Sequence, residues 1–186
     1  MKNSYYIING ITLYRMIAAP LLIYLVFINQ FNLFKWLLVV SFFTDAIDGY
    51  FARRYQIKSA FGATIDSVAD DLTIVAAIIG MYVQNPAFLL KEIIPIVILL
   101  VLYLSQNTLA FIKYRKMTSF HTYVAKIAAV CQGIFLIAFF FLPQPVYWLF
   151  YLTLILTGID LIEEIMLIIL LPHYRTNVKG LYWLKK

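Results

Sequence analysis

The most regular feature of the chain is a series of six apolar stretches separated by short polar or proline-containing breaks. A helix needs roughly 20 mainly apolar residues to cross the hydrocarbon core of a bilayer. The pattern predicts membrane-spanning helices at residues 8–28, 33–53, 62–83, 88–112, 122–142 and 146–171. Because every break is short, successive helices are expected to run antiparallel in one bundle. We therefore expect an all-α integral membrane protein in which residues 1–186 form a single domain.

Composition excludes an ordinary soluble domain. The chain is 63% hydrophobic and 13% charged, with a mean hydropathy of +0.87, whereas soluble domains are near half apolar and about a quarter charged. Its one cysteine, Cys131, lies in an apolar stretch, which excludes an intramolecular disulfide and a CxxC metal site. Arg15 interrupts the first apolar stretch, so we expect that segment to be retained and not to be a cleaved signal peptide.

The basic residues indicate the orientation in the membrane, because positively charged loops stay on the cytoplasmic side. One side receives three groups of cations: Arg53, Arg54 and Lys58; Lys113, Arg115 and Lys116; and Arg175, Lys179, Lys185 and Lys186. The opposite side keeps only Lys35 and Lys91. With an even number of spans, both termini are then cytoplasmic. We attribute the net charge of +6 to the basic loops that flank the membrane spans, so no nucleic-acid partner is expected.

Several carboxylates lie inside the predicted spans, where an ionised group is energetically unfavourable. Each charged group near the centre of a span costs about 2.5–3.5 kcal/mol. Asp45 and Asp48 are three residues apart, and Asp66 and Asp70 are four apart, so each pair projects from one helix face. Both pairs lie in the cytoplasmic halves of neighbouring spans, where four carboxylates are expected to converge. Oxygen ligands without His or Cys suit Mg²⁺ or Mn²⁺ and not zinc.

The spacing of these acids resembles the signature D-x-x-D-G-x-x-A-R-x(8)-G-x-x-x-D-x-x-x-D of the CDP-alcohol phosphatidyltransferases. Its fixed positions are all present, as Asp45, Asp48, Gly49, Ala52, Arg53, Gly62, Asp66 and Asp70. The resemblance implies an enzyme of phospholipid synthesis in which an alcohol hydroxyl attacks a CDP-linked lipid such as CDP-diacylglycerol and CMP is released. It also implies a six-span fold with the active site on the cytoplasmic side of a membrane, here the cytoplasmic membrane of a bacterium.

The resemblance assigns a role to each matching residue. It implies that Asp45, Asp48, Asp66 and Asp70 bind two divalent ions, Mg²⁺ or Mn²⁺, and that Asp70 is also the general base. Arg53 is expected at the diphosphate, while Gly49, Ala52 and Gly62 belong to the CDP-lipid site. Asn9, Thr12 and Arg15 resemble the family's opening N-x-x-T-x-x-R, which lines the nucleotide pocket; the alternative is a helix N-terminus capped by Asn9. Asp71 points about 100° away from Asp70 and receives no catalytic role.

The acceptor alcohol stays open. Glycerol 3-phosphate is slightly favoured by chain length and by partial similarities in the last two spans; inositol or its phosphate, serine, another lipid and amino alcohols are the alternatives. Arg115 and Lys126, at the cytoplasmic ends of the fourth and fifth spans, are predicted to bind an acceptor phosphate. The competing interpretation is that both are positive-inside anchors.

A second acidic set, Asp160, Glu163 and Glu164, lies in the sixth span. We expect a structural salt bridge to Lys126 or Arg15 in preference to a place in the active-site cavity. Intramembrane acids also mark ion pathways, so a small ion or proton transporter is the alternative function from another class, and an inactive family member acting as a scaffold is a third. The expected partners are the bilayer, CDP-diacylglycerol and a small polar alcohol. The oligomeric state stays open, with a homodimer as one alternative.

Overall fold

The computed structural model describes residues 2–55, 60–116, 118, 120–175 and 178–185; in its first three helices, side chains are described at positions 14, 16–45, 47 and 68–84. All regular structure in these ranges is helical, which confirms the all-α prediction. The helices are α1 (Lys2–Phe27), α2 (Phe31–Tyr55), α3 (Ala60–Gln84), α4 (Pro86–Lys91), α5 (Ile93–Tyr114), α6 (Tyr123–Phe141), α7 (Tyr147–Leu170) and a C-terminal 3-10 helix (Leu181–Lys185).

The fourth apolar stretch is not one helix from residue 88 onward, which corrects the prediction. The short α4 ends at Lys91, Glu92 leaves the helical conformation with φ −100° and ψ 19°, and α5 begins at Ile93. Pro95 explains the break, because its ring would clash with the carbonyl group of Lys91 in a continuous helix, whereas proline is tolerated in a first turn. Among the described residues, α5 and α6 are long and apolar enough to cross a membrane.

The chain divides into two compact units, Met1–Pro86 and Ala87–Lys186. In the first unit α1 packs against both α2 and α3. The buried residues of α3 include the small residues Ala69, Thr73, Ala76 and Ala77. Small side chains let helix backbones approach closely, which is how helices associate where no hydrophobic effect drives them together.

The second unit is built around α7, which packs against both α5 and α6. At one end, the Phe88 ring lies within 6.5 Å of four other aromatic rings, those of Phe135, Phe139, Tyr147 and Phe150. At the other end, a smaller buried cluster consists of Ala110, Phe120, Leu167, Ile168 and Leu171. These two clusters fix both ends of α7 against its neighbours.

A buried carboxylate lies where α4 gives way to α5. Glu92 is only 5% exposed, and the Tyr151 hydroxyl on α7 donates to it at 3.0 and 3.1 Å from the two carboxylate oxygens. The Lys91 ammonium is 4.0 Å from the same group. A buried carboxylate needs such donors to offset its loss of water. Tyr151 therefore joins α7 to the start of α5.

Tyr151→Phe removes this hydroxyl while keeping the ring. We expect it to lower the melting temperature, because the buried Glu92 carboxylate loses a hydrogen-bond donor. Thermal unfolding of the detergent-solubilised protein measures this. Tyr147→Phe is the matched control, since no hydrogen bond of the Tyr147 hydroxyl is seen among the described residues and its ring contacts are kept. Equal melting temperatures for the two variants would show that the Glu92 contact does not stabilise the fold.

Candidate active site

The first unit brings three groups of predicted site residues to one end. Asp45, Asp48, Gly49, Ala52 and Arg53 lie in the C-terminal half of α2, and Gly62, Asp66 and Asp70 lie in the N-terminal half of α3. Asn9, Thr12 and Arg15 lie between the N-terminus and the middle of α1. Residues 28–30 join α1 to α2 at the far end, and α2 ends at Tyr55 shortly before α3 begins at Ala60 at the near end. The three helix halves therefore share the end of the unit opposite residues 28–30.

The turn between α1 and α2 sets the register of these positions. The Gln30 amide donates to the Leu25 carbonyl at 2.9 Å, and Asn29 adopts a left-handed conformation with φ 57°. Counting about 1.5 Å per residue away from this turn, the backbones of Asp45 and Asp48 fall within about one and a half helical turns of the levels of Asn9, Thr12 and Arg15. The two motifs therefore overlap in depth along the helix pair.

Of the four predicted metal ligands, the side chains of Asp45 and Asp70 are described. Both are half-buried and interact with other groups of the protein, as Asp71 does. The remaining predicted site residues of this unit have side chains outside the described set: Asn9, Thr12, Arg15, Asp48, Gly49, Ala52, Arg53, Gly62 and Asp66. Among the described side chains, no three metal-ligating groups come together. The convergence of all four carboxylates stays a prediction.

A buried serine beside the first acid is a feature that the sequence reasoning missed. Ser41 lies one turn before Asp45 on the same face of α2 and is 2% exposed. Its hydroxyl has no hydrogen-bond partner among the described residues. By contrast, the hydroxyls of Thr44 and Thr73 donate to backbone carbonyls of their own helices at 2.7–2.9 Å. A serine four residues before the first motif Asp, in an otherwise apolar run, is the signal that could have found it.

The second unit holds the two predicted acceptor-binding cations. Arg115 follows the last residue of α5 and Lys126 lies in the first turn of α6, so both are at the end of the unit where these helices meet. Both side chains are exposed. Arg115 adopts a left-handed conformation with φ 57°, and its amide donates to the Phe111 carbonyl at 2.9 Å. The Lys126 ammonium lies 5.3 Å from the centre of the Tyr123 ring.

The neighbours of Arg115 are engaged by the protein itself. The Lys113 ammonium donates to the carbonyls of Ile168 and Ile169 at 2.6 and 3.0 Å, and the Lys116 ammonium lies 4.3 Å from the centre of the Tyr174 ring. Of Lys113, Arg115 and Lys116, Arg115 is the one whose side chain has no partner among the described residues. The structure thus separates three cations that the sequence presents as equivalent.

The second acidic set binds backbone and amide groups, which corrects the expectation of a salt bridge to Lys126. Glu164 accepts hydrogen bonds from the Gln106 side chain at 2.9 Å and the Phe120 amide at 3.2 Å, and Glu163 accepts from the Leu181 amide at 3.1 Å. One oxygen of Asp160 is buried without a hydrogen-bond partner among the described residues. One oxygen of Glu163 is likewise buried without a partner among the described residues, so neutral donors satisfy both oxygens of Glu164 but only one of Glu163. The side chain of the other expected partner, Arg15, lies outside the described set.

Comparison with known sequences connects both units to one family. The sequence model described as CDP-alcohol phosphatidyltransferase matches residues 5–159, from α1 into α7. This range includes the complete acidic signature on α2 and α3 as well as Arg115 and Lys126.

Three curated relatives illustrate the similarity. A CDP-diacylglycerol–glycerol-3-phosphate 3-phosphatidyltransferase of Rickettsia typhi is 36% identical over 40% of this chain and 42% of its own length. The CDP-diacylglycerol–inositol 3-phosphatidyltransferase of Saccharomyces cerevisiae is 37% identical over 44% of this chain and 37% of its own. The CMP-forming cardiolipin synthase of Homo sapiens is 32% identical over 39% of this chain and 25% of its own.

These alignments are partial, and the chain spans at most about two fifths of the length of the relatives just named. The family assignment depends instead on the match over residues 5–159, which is most of the chain. The chain belongs to the CDP-alcohol phosphatidyltransferase family.

Proposed function

We propose that the protein transfers a phosphatidyl group from CDP-diacylglycerol to an alcohol and releases CMP. The observation that carries this proposal is the complete acidic signature on α2 and α3 within a family match that runs through most of the chain. The names of the Rickettsia and yeast relatives also support it, because both specify CDP-diacylglycerol as the donor while their acceptors differ.

The donor set fits hard divalent cations. The motif supplies two pairs of carboxylates one helical turn apart, and the two that are described, Asp45 and Asp70, keep part of their surface accessible. Asp45, Asp48, Asp66 and Asp70 would hold two Mg²⁺ or Mn²⁺ ions. Such ions, when bound, supply positive charge that offsets the diphosphate as CMP departs.

Residues of the chain then bind the substrates and accept the proton that the transfer releases. The Asp70 carboxylate accepts the proton of the acceptor hydroxyl as that oxygen bonds to the phosphorus of the phosphatidyl group. The bond from this phosphorus to the CMP oxygen breaks, and CMP leaves with the electron pair. The Arg53 guanidinium binds the diphosphate oxygens, for which its planar fork is suited. Asn9, Thr12 and Arg15 contact the nucleotide, and Gly49, Ala52 and Gly62 leave it room.

Asp70→Asn should abolish CMP release while preserving much of the CDP-lipid binding, because the proton acceptor is lost and the other three carboxylates remain. A loss of about 10²-fold or more is expected for a general base. CMP release and binding of radiolabelled CDP-diacylglycerol measure the two effects, and EDTA should abolish turnover until Mg²⁺ or Mn²⁺ is restored. Asp71→Asn is the matched control. Full activity in EDTA, or equal damage from Asp71→Asn, would contradict the assignment.

For the acceptor we propose glycerol 3-phosphate, bound through Arg115. The support is the name of the Rickettsia relative and the exposed Arg115 guanidinium, which has no protein partner in the described part of the connection, whereas Lys113 and Lys116 have one. A guanidinium matches phosphate oxygens bidentately. Inositol and another lipid stay as alternatives, since the yeast relative is named for inositol and the human relative is a cardiolipin synthase.

Arg115→Ala should raise the glycerol 3-phosphate KM about tenfold or more and leave the CDP-diacylglycerol KM unchanged. The reason is the loss of a charge-assisted contact worth roughly 1.5–3 kcal/mol. Steady-state kinetics with each substrate varied in turn measures this. Lys116→Ala removes the same charge from the neighbouring position and should stay within about twofold of wild type. An unchanged KM in Arg115→Ala would refute the phosphate contact and favour an uncharged acceptor.

We also propose six membrane spans in one domain, with both termini and the acidic site on the cytoplasmic side of the cytoplasmic membrane of a bacterium. Support comes from six helices of 19 to 26 residues, two of them apolar enough to cross a bilayer, and from the uneven distribution of Lys and Arg. A family match that runs across both compact units supports a single domain.

Cysteine labelling in intact cells tests this orientation. In a Cys131→Ala background, Asn85→Cys should react with an impermeant thiol reagent added outside, and Tyr55→Cys should react only after the cells are permeabilised. The two positions end consecutive helices on opposite sides of the proposed membrane. Labelling of Tyr55→Cys from outside would invert the topology.

A further inference from the structure

The connection between α5 and α6, residues 115–122, is held against α7 by a buried polar network. We propose that Glu164, with Gln106, is a positioning residue that keeps this connection, and with it the Arg115 guanidinium, in the conformation that binds the acceptor. The inference rests on the proposed acceptor role of Arg115. It gives a function to a carboxylate that the chemistry of the acidic motif leaves unused.

Both oxygens of Glu164 are occupied by groups that the connection or α5 supplies. One accepts the Phe120 amide at 3.2 Å, and the other accepts the Gln106 side-chain amide at 2.9 Å. The same Gln106 nitrogen lies 3.4 Å from the Thr118 hydroxyl oxygen. The three side chains are almost fully buried, with Glu164 and Thr118 8% exposed and Gln106 2%. Buried polar groups need such partners, so the network holds Phe120 against α7.

The connection is anchored on the other side of Arg115 as well. The Tyr114 hydroxyl lies 2.8 Å from the Leu171 carbonyl and 3.2 Å from the Ile168 carbonyl, where α7 ends. Downstream, the Thr122 hydroxyl accepts the Ala125 amide at 3.1 Å and caps α6. Along the chain, Arg115 therefore lies between Tyr114, which bonds to the end of α7, and Phe120, which bonds to Glu164 of α7.

The C-terminal segment, residues 178–185, forms backbone hydrogen bonds with residues next to the same network. The Val178 amide donates to the Phe120 carbonyl at 3.1 Å, and the Tyr123 amide donates to the Lys179 carbonyl at 3.3 Å. Gly180 follows with φ +144°, and a Cβ atom there would lie 2.9 Å from a Glu163 oxygen. The backbone of Phe120 is thus paired through its amide to Glu164 and through its carbonyl to the C-terminal segment.

This arrangement lowers the cost of binding an acceptor. A guanidinium on a free loop must lose its conformational freedom when it binds a phosphate, whereas one on a fixed connection has lost much of it already. Without the Glu164 carboxylate, the buried Phe120 amide and Gln106 amide lack their acceptor, so the connection must move to hydrate them. Arg115 would then bind the acceptor more weakly although its own side chain is intact.

The test compares two substitutions of Glu164 by steady-state kinetics. Glu164→Leu removes both acceptor oxygens and should raise the glycerol 3-phosphate KM about tenfold, with the CDP-diacylglycerol KM and kcat near wild type. Glu164→Gln keeps an oxygen for the Phe120 amide, and rotation of the Gln106 amide group restores the second bond, so its KM should stay within about twofold. Hydrogen exchange over residues 115–122 should rise at least tenfold in Glu164→Leu only.

A double-mutant cycle separates positioning from a general loss of stability. If Glu164 acts through Arg115, Glu164→Leu should raise the acceptor KM no further in an Arg115→Ala background. Tyr151→Phe, which weakens the opposite end of the same unit, should leave that KM unchanged. If Glu164→Leu does not fold, Gln106→Leu takes its place with an expected rise of about threefold.

The outcomes are distinguishable. If Arg115→Ala raises the acceptor KM and Glu164→Leu loosens residues 115–122 without changing it, the positioning role is refuted and the proposed function stands. An additive effect of the two substitutions also refutes it. If Arg115→Ala itself leaves the KM unchanged, the acceptor proposal fails and the positioning role fails with it.

Discussion

A carboxylate in an apolar helix is costly unless it is paired with a cation or with hydrogen-bond donors, and this constraint applies to acids in both units of the protein. In the first unit the predicted metal ligands lie on α2 and α3, at the same end as the α1 positions that are predicted to bind the nucleotide. In the second unit the adjacent acids Glu163 and Glu164 accept backbone amides from two different segments. The same residue type is thus proposed to bind ligands in one unit and observed to fix the chain in the other.

Local patterns in the sequence were sufficient to predict the helices. Apolar runs of spanning length located every long helix to within a few residues at most ends, because each run contains its own signal. There are two exceptions, and one is α1, which begins at Lys2 and so precedes the predicted start at residue 8. The other is the start of the fourth stretch, where the clash between the Pro95 ring and the Lys91 carbonyl outweighs the apolar composition and divides the run at Glu92. The acidic motif was likewise recognisable, since its spacing is fixed along the chain.

Contacts between distant residues could not be predicted in this way. The partners of Glu164 are Gln106 and Phe120, which precede it by 58 and 44 residues. Nothing in the local sequence distinguishes a glutamate that accepts amides from one that pairs with Lys126, and charge alone favours the salt bridge. Ser41 shows the same limit, because whether a helical hydroxyl bonds to its own backbone depends on what packs around it.

The bonds from Lys113 to the last carbonyls of α7 affect the electric field that an approaching anion meets. The C-terminal end of a helix carries about half a negative charge from its aligned peptide dipoles, and an ammonium placed there neutralises that charge locally. The end of α7 therefore does not repel an anion at this surface as an uncapped helix end would. The Lys113 charge is compensated in the same contact, so the net positive potential of residues 113–116 comes mainly from Arg115 and Lys116.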